Sequence, residues 1–344
     1  MQWLRCSDMG ISAWGYSNSS RQPFQARPLP LFNNTVIVEQ PTNLATISRR
    51  YVDAALGYIT EAVDAKTPFL LYMPWNHVHN PNFASVDFCN TSVRGPVGDA
   101  TQELDHAVGA LLQGVGAMAG VDENTIWFFT SDNGAPLGND RIGNGPLRDG
   151  KFTTWEGGIR EPAAIRWKGT IKPGRTDELA ATYDIFATIA AMAGVAPPPA
   201  VVLDGADLSG LLLHGAKSPH RCLVHYHSPQ NKLSNTSGVA AVRCGQYKAH
   251  FFTHSTANQS ILGHYLPAPD GEHDPPLLFD LDEDGSPQTC LEPAAHLPRI
   301  CIAIRTRTCL AAAHLRTADA NSSNACWLSS RRVHPARSRG TSRC

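Results

Sequence analysis

The sequence has no long apolar run and no excess of charge, and each absence argues against a class of protein. None of the 344 residues lies in a run that approaches the roughly 20 apolar residues a helix needs to span a bilayer, so no transmembrane segment is predicted. The 29 Lys and Arg residues nearly balance the 30 Asp and Glu residues, and the net charge of −1 argues against nucleic acid as a partner. The first residues, Met1 to Cys6, lack the apolar core of a signal peptide.

Cysteine spacing indicates neither a zinc site nor a readable disulfide framework. The cysteines are nine, an odd number, and no two of them form a Cys-x-x-Cys pair. Acceptor triplets for N-linked glycans, in contrast, occur along the whole chain. They begin at Asn18, Asn33, Asn90, Asn235, Asn258 and Asn321. The triplets favour a protein of the secretory route, whereas the missing leader opposes that assignment.

A polar turn after an apolar run gives the first indication of chemistry. The run 125–130 is β-branched and aromatic, which is typical of a strand buried on both faces. Asp132 and Asn133 follow it directly, so a carboxylate and an amide oxygen stand side by side beyond the strand end. Such oxygens are hard donors that suit Ca²⁺ or Mg²⁺. The alternative is an ordinary Asp-Asn-Gly turn, which needs no metal.

Segments before this turn predict an α/β arrangement. Apolar residues recur at helical spacing over 44–65, with Thr46 or Ser48 available as the N-cap, and again over 99–118. The short apolar run 68–75 between them is typical of a buried strand. Two strand–helix–strand passes in succession predict parallel strands with helical crossovers.

The second half of the chain predicts a smaller, antiparallel sheet. A helix over 183–193 is followed by the Pro197–Pro199 run, which we interpret as the domain boundary. Beyond it, short strands are predicted at 222–227, 239–243, 247–252 and 277–281. His250 alternates within the third of these strands and is expected to be a buried structural histidine.

Several motifs occur in a fixed order between about Leu29 and about Asp284. They are His-Val-His-Asn-Pro at 77–81, Thr-Ser-Asp-Asn-Gly at 130–134, Gly-Lys-x-Thr-Thr-Trp-Glu-Gly-Gly-Ile-Arg-Glu-Pro at 150–162, Leu-Asp-Gly-Ala-Asp-Leu-Ser at 203–209 and Tyr-Lys-Ala-His-Phe-Phe at 247–252. In this order and spacing the chain resembles the sulfatase family, and most closely its arylsulfatase A-like members.

The resemblance implies a fold and a domain plan. The fold is α/β, an alkaline-phosphatase-like sheet with flanking helices that is incomplete at its N-terminus, with a small, mainly antiparallel C-terminal β subdomain. We expect an irregular lead-in over 1–30, the C-terminal part of the catalytic domain over 31–196 and the subdomain over 197–287. We interpret 288–344 as an unrelated, disordered tail, with a basic interaction tail as the alternative.

The resemblance also implies roles for individual side chains. Asp132 and Asn133 are two ligands of a Ca²⁺ ion, and Lys151 neutralises charge on the sulfate oxygens. His79, the second histidine of its motif, hydrogen-bonds the sulfate and assists proton transfer at the ester oxygen. His77, the first histidine, is expected to be structural.

The nucleophile that this family uses has no counterpart in these residues. It is a formylglycine made from the first residue of Cys/Ser-x-Pro-x-Arg, and no cysteine or serine here begins that pattern. The family's Asp-Asp pair, which completes the metal site, and its Gly-Lys-x-His element are also absent. We therefore expect an incomplete Ca²⁺ site and no turnover of aryl sulfates by this chain alone.

Three functions remain open on this reading. The first is hydrolysis of a sulfate ester of a small aromatic, lipid or carbohydrate, in a full-length protein that is secreted or lysosome-like. The second is a degenerate homologue that binds anions or sulfated carbohydrate without turnover. The third, hydrolysis of a phosphate ester, is disfavoured because the motif at 150–158 is sulfatase-like in particular.

Overall fold

Helices and short strands alternate along the first part of the chain, and from Leu223 onward the described elements are strands. A computed structural model describes residues 30–79, 82–137, 143–226, 238–255 and 268–282. The helices are α1 (Leu44–Asp64), α2 (Pro96–Gly116), α3 (Glu156–Ile159), α4 (Asp184–Met192) and α5 (Ser209–His214). The strands are β1 (Leu31–Asn33), β2 (Val36–Glu39), β3 (Ile126–Thr130), β4 (Ala163–Trp167), β5 (Leu223–Tyr226), β6 (Val239–Cys244), β7 (Tyr247–Ser255) and β8 (Ala268–Asp280).

The chain divides into two compact units. The first contains the described residues up to Trp127 together with Ile165–Thr170, and the second contains Phe128–Ala164 and the described residues from Ile171 onward. The predicted tail at 288–344 lies outside the described residues, as does the predicted lead-in except for Pro30. The domain boundary at 196/197 stays a prediction.

Two long helices, α1 and α2, form the core of the first unit. Val52 and Ala55 of α1 pack against Ala107 and Leu111 of α2, as the helical spacing of apolar residues predicts. The predicted N-cap of α1 was wrong, because Asn43 takes that role and its side chain accepts a hydrogen bond from the backbone of Ala45 (3.1 Å).

The buried strand predicted over 68–75 is not observed. The segment pairs with no strand among the described residues, so the predicted parallel pairing is also not seen there. Leu71, Met73 and Trp75 pack on the α1–α2 core, but Leu70 and Tyr72 are 67% and 84% exposed. Within this unit only one face of the segment packs against other residues. A continuous apolar sequence does not show whether one face or both faces of a segment are covered.

Strands β3 and β4 form a two-stranded sheet. The strand predicted at 125–130 is confirmed with one residue fewer, since Thr125 caps the short 3₁₀ turn Asp122–Asn124 that precedes it. Burial of β3 on both faces was wrong, because Phe129 is 42% exposed. The second strand of this sheet, β4, begins directly after Pro162.

A four-stranded antiparallel sheet ends the described chain, which confirms the small C-terminal β structure. Its strands pair in the order β5-β6-β7-β8. Cys222 and Cys244 form a disulfide that joins the beginning of β5 to the end of β6. His250 on β7 is fully buried, as predicted for a structural histidine. The predicted helix at 183–193 is also confirmed, as α4.

Candidate functional site

The Asp132–Asn133 turn lies directly after β3, in the second unit. Its Asp132 side chain is exposed and Asn133 is half-buried. The Asp132 carboxylate accepts a hydrogen bond from the backbone N–H of Asn133 (3.0 Å), and the Ser131 hydroxyl donates to the Asn133 carbonyl (3.3 Å). These local bonds are those of an Asp-containing turn, and they leave the second carboxylate oxygen of Asp132 available to a cation.

The loop that carries Lys151 lies against this turn. The backbone N–H of Lys151 donates to the carbonyl of Ala135 (3.0 Å), two residues beyond Asn133. The Lys151 ammonium is 5.5 Å from the centre of the Phe152 ring, a distance at which the ring attracts a cation. The structure therefore brings three of the four predicted site residues, Asp132, Asn133 and Lys151, onto two hydrogen-bonded segments of one unit.

Glycines allow the two segments to approach closely. The N–H of Gly134 donates to the carbonyl of Gly158 (3.1 Å). A Cβ on Gly134 would lie 1.8 Å from the Gly157 carbonyl oxygen, well inside van der Waals contact. The Gly-Gly pair after Glu156 thus faces the glycine after Asn133, and only backbone fits between them.

Asn144 connects both segments through its side chain. Its Oδ1 accepts a hydrogen bond from the N–H of Ala135 (2.8 Å). Its Nδ2 donates to the carbonyls of Ala135 (3.0 Å) and Asp149 (2.9 Å). The sequence gives little sign of this role, because an asparagine beside glycine and proline is typical of any turn.

Glu161 is a second side chain that the sequence does not single out. Its Oε1 is buried and has no hydrogen-bond partner among the described residues. Burial raises the pKa of the Glu161 carboxyl and the Asp132 carboxylate raises it further, although the nearby Ser131 hydroxyl opposes the shift. The turn thus has a second carboxyl group beside Asp132.

His79 and His77 lie in the first unit, after the extended segment 68–75. His79 is exposed, and its backbone N–H donates to the Asn76 carbonyl (3.1 Å). His77 is buried, with its Nε2 3.4 Å from the Glu103 carboxylate and its ring edge-on to Phe83. These contacts agree with the structural role predicted for His77.

The C-terminal sheet supports the Lys151 loop from within the second unit. Lys248 on β7 is fully buried, and its ammonium donates to Glu156 (2.7 Å) and to the Thr154 carbonyl (2.6 Å). Arg243 on β6 lies 3.2 Å from the other oxygen of Glu156. The sheet therefore holds α3 and the loop before it through one carboxylate and two cations.

A group of packed rings lies beside the ion cluster of Glu156, Lys248 and Arg243. The Trp155 ring packs on His250 (4.1 Å between centroids) and on Phe279 (5.3 Å), and the Arg148 guanidinium lies 3.8 Å from the Trp155 ring centre. Trp155 is buried, so this contact fixes the loop on the sheet two residues before Gly157.

Burial and ion pairing compete in the cluster. Burial opposes ionisation of Glu156, but Lys248 outweighs it and the pKa of Glu156 is lowered. Burial lowers the pKa of the Lys248 ammonium, and Glu156 opposes that shift. Burial, and next the charge of Lys248, hold the pKa of His250 well below its usual range. We therefore describe Glu156 and Lys248 as an ion pair and His250 as neutral.

The donors at the turn fit a hard divalent cation in type. Asp132 and Asn133 contribute a carboxylate and an amide oxygen, the ligands that Ca²⁺ prefers. Among the described residues, no group of three or more His, Cys, Asp or Glu side chains is arranged to hold a metal ion. The turn can thus supply two ligands of a shell that, for Ca²⁺, contains roughly six to eight oxygens.

Comparison with known proteins identifies the class. A family model described as Sulfatase matches residues 5–195, and one described as the C-terminal region of aryl-sulfatase matches residues 218–341. The second range runs past residue 287, the predicted end of the C-terminal subdomain. The chain belongs to the sulfatase family.

Within the sulfatase family, the chain is similar to arylsulfatases and to sulfatases that are named for a sugar substrate. The chain is 44% identical to arylsulfatase A of Bos taurus over 262 residues, which are 75% of this chain and 51% of the relative. It is 39% identical to N-acetylgalactosamine-6-sulfatase of Canis lupus familiaris, over 71% of this chain and 48% of the relative. The chain thus spans about half the length of these curated relatives.

A solved structure agrees with the fold. The chain superimposes on the PsFucS1 sulfatase from Pseudoalteromonas sp. with a TM-score of 0.69 and 28% identity, over 78% of this chain and 53% of the other. The predicted α/β sulfatase fold, which is alkaline-phosphatase-like, is confirmed by this match together with the family models. No helix of the described part is both long and apolar enough to cross a membrane.

Proposed function

We propose that these residues form the part of a sulfate-ester hydrolase that binds the cation and the sulfate group. Asp132 and Asn133 would hold Ca²⁺, Lys151 would bind the sulfate, and His79 would contact the sulfate and the ester oxygen. The single observation that supports the proposal is the hydrogen bond from the Lys151 N–H to the Ala135 carbonyl (3.0 Å). Through this bond the Lys151 loop lies against the Asp132–Asn133 turn, which we call the cation turn.

Each side chain has chemistry that suits its proposed task. A bound Ca²⁺ would polarise the sulfuryl oxygens as a Lewis acid. Lys151 carries a compact ammonium that can neutralise charge on sulfate oxygens, and its backbone is bonded to the Ala135 carbonyl beside the turn. His79 is exposed, as a residue that exchanges a proton with a substrate must be. The motif for a formylglycine nucleophile is absent from the 344 residues, so the proposal assigns no nucleophile to them.

The names of the relatives suggest a substrate class, and two exposed glycan triplets and a disulfide suggest a cellular compartment. The names of the relatives favour a sulfate ester of an aromatic or carbohydrate leaving group, and a lipid is the third class. Asn33 and Asn90 begin glycan triplets and are both exposed. The disulfide between Cys222 and Cys244 suits an oxidising compartment. We therefore propose delivery through the secretory pathway, to the lysosome or outside the cell.

Calorimetric titration of the purified chain with Ca²⁺ and with inorganic sulfate tests the binding roles. Asp132→Ala should weaken Ca²⁺ binding by about tenfold or more, the effect of losing one charged ligand. Lys151→Ala should weaken sulfate binding and leave Ca²⁺ binding almost unchanged. The matched controls are Asp105→Ala and Lys172→Ala, which remove an exposed carboxylate and an exposed ammonium elsewhere. Equal effects of site and control variants would refute the assignment.

An assay of aryl sulfate hydrolysis distinguishes a hydrolase from a homologue that only binds its ligand. A degenerate homologue that binds anions or sulfated carbohydrate would use the same lysine, and the missing nucleophile motif favours it for the chain alone. We expect no release of the chromophore from an aryl sulfate by the 344-residue protein. Turnover that Asp132→Ala abolishes would contradict this expectation and show that the chain is catalytically complete.

A further inference from the structure

We propose that Asn144 is a positioning residue that sets the distance between the cation turn and the sulfate-binding lysine. This inference rests on the proposed function, because it takes Asp132, Asn133 and Lys151 as the binding residues. The Asn144 side chain makes three hydrogen bonds to backbone atoms. It bonds to the backbone two residues after Asn133 and to the backbone two residues before Lys151.

The three hydrogen bonds use the amide group in one orientation. With Oδ1 facing the Ala135 N–H, Nδ2 points both of its hydrogens at carbonyls, those of Ala135 and Asp149. The reversed amide would place two donors together at Ala135 N and an oxygen between two carbonyl oxygens. Among side chains of this size, only asparagine supplies one acceptor and two donors in a plane. No other side chain of this size can therefore make all three hydrogen bonds.

The same carbonyl links Asn144 to Lys151. The Ala135 oxygen accepts from Nδ2 of Asn144 (3.0 Å) and from the backbone N–H of Lys151 (3.0 Å). A Cβ on Gly150 would lie 2.4 Å from this oxygen and 3.0 Å from Nδ2, so the packing around the pair is tight. Loss of the amide would remove three of the bonds that hold two loops together, while the loop ends stay fixed by α3 and β3.

A simple turn does not account for these contacts. Asn144 does begin a turn, because its carbonyl accepts from the N–H of Leu147 (3.1 Å). That bond uses the backbone alone, and an alanine would keep it. The side chain instead spans nine residues to Ala135, which is a contact between segments. A side chain of this kind couples the two loops, so an ion that orders one of them also orders the other.

Hydrogen–deuterium exchange and ligand titration of the full chain test the inference together. In Asn144→Ala, exchange in segments 133–137 and 147–153 should rise by roughly tenfold or more, while α1 exchanges as in the wild type. Asn144→Asp keeps the acceptor for the Ala135 N–H and loses both donors. It should therefore loosen 147–153 and spare the Ala135 amide. Asn124→Ala, at an exposed asparagine of the first unit, is the matched control.

The ligand measurements distinguish positioning from stability. Inorganic sulfate affinity should fall by about tenfold in Asn144→Ala, although Lys151 is still present. In the wild type, Ca²⁺ should lower exchange at 147–153, and this effect should be lost in the variant. If both probes bind wild type and variant equally, the proposed function stands and the positioning role is overturned. If neither probe binds the wild type, the proposed function fails, and the positioning role fails with it.

Discussion

Arg166 and Asp122 are joined by two hydrogen bonds across 44 residues of chain, within the first unit. The guanidinium donates from Nη1 to Oδ1 (2.6 Å) and from Nη2 to Oδ2 (2.7 Å). The Arg166 bonds lower the pKa of Asp122 to about 2, although burial opposes the shift. Asp122 opens the 3₁₀ turn before β3 and Arg166 lies in β4, so this pair fixes where the two strands meet.

We expect Arg166→Ala to lower the melting temperature by about 2–6 °C at neutral pH, since it leaves a nearly buried carboxylate without its fork-shaped partner. Because the folded-state pKa of Asp122 is depressed, its stabilisation is present above about pH 3.8 and is lost as the pH falls towards 2. The wild-type and variant melting temperatures should therefore converge in that window.

Arg175→Ala is the matched control for this experiment. Arg175 pairs with Asp177, but the two side chains are 80% and 74% exposed, and exposed pairs contribute little. A melting temperature that falls equally in both variants would contradict the role given to the Arg166–Asp122 pair.

Helices and motif positions could be predicted from the sequence, whereas the connections of the site could not. The periodicity of α1 and α2 survives in the structure because each helix buries one apolar face. Helix α4 forms as predicted, but its buried residues are the polar Asp184 and Thr188. The prediction of a buried strand over 68–75 was wrong because the neighbours of this segment in space, and not its own residues, decide how many of its faces are covered. The resemblance predicts roles for Asp132, Asn133 and Lys151, and these roles stay predictions. It predicts none for Asn144, because the partners of the Asn144 side chain are backbone atoms, which no sequence pattern marks.

The close approach of Gly134 to Gly157 predicts that even a methyl group is too large there. Gly134→Ala should lower the free energy of unfolding by about 1–3 kcal/mol, because the new Cβ would overlap the Gly157 carbonyl oxygen. The Lys151 loop should be displaced as well, which exchange at residues 149–153 would report. Urea denaturation measures the loss of stability.

Gly57→Ala provides a control with the opposite expected sign. Gly57 lies within α1, and no atom lies within 4 Å of the position its Cβ would take. Alanine there should stabilise the protein by about 0.5–1 kcal/mol through helix propensity alone. If Gly134→Ala is as stable as Gly57→Ala, the close packing between the cation turn and the glycine pair is refuted.

The buried pair of Lys248 and Glu156 predicts a non-additive effect of substitution. Lys248→Met should destabilise the protein by about 3–5 kcal/mol, since the Glu156 carboxylate would remain buried and would keep Arg243 as its one ion-pair partner among the described residues. The double variant Lys248→Met with Glu156→Leu should recover most of that loss, because no buried carboxylate is then left unpaired. Urea unfolding of the wild type, both single variants and the double variant closes the cycle. A double variant no more stable than Lys248→Met would show that the pair contributes packing and not charge compensation.

The buried imidazole of His225 predicts that acid begins to weaken the protein near pH 6.5, before ordinary carboxylates titrate. His225 lies on β5, and its Nε2 is buried with no partner among the described residues. Burial lowers its pKa to about 4, Lys248 and Arg243 act in the same direction, and Glu156 opposes them. In the unfolded chain the imidazole titrates near 6.5, so between about pH 6.5 and 4 the unfolded state binds the extra proton. Acidification through this window should therefore cost up to about 3 kcal/mol from this residue.

His225→Phe should flatten that part of the pH profile, because it removes the proton-binding group and keeps a buried ring. Val224→Ala, at the adjacent strand position, removes packing without a titratable group and should lower stability by a similar amount at every pH. The measurement is the urea midpoint from pH 7 to pH 4. The slope expected for the wild type is positive, stability rising with pH, and His225→Phe should keep only the share that other groups such as His250 contribute. An unchanged slope in His225→Phe would mean that the proton taken up on unfolding binds elsewhere, and His225 would then have no part in the acid response.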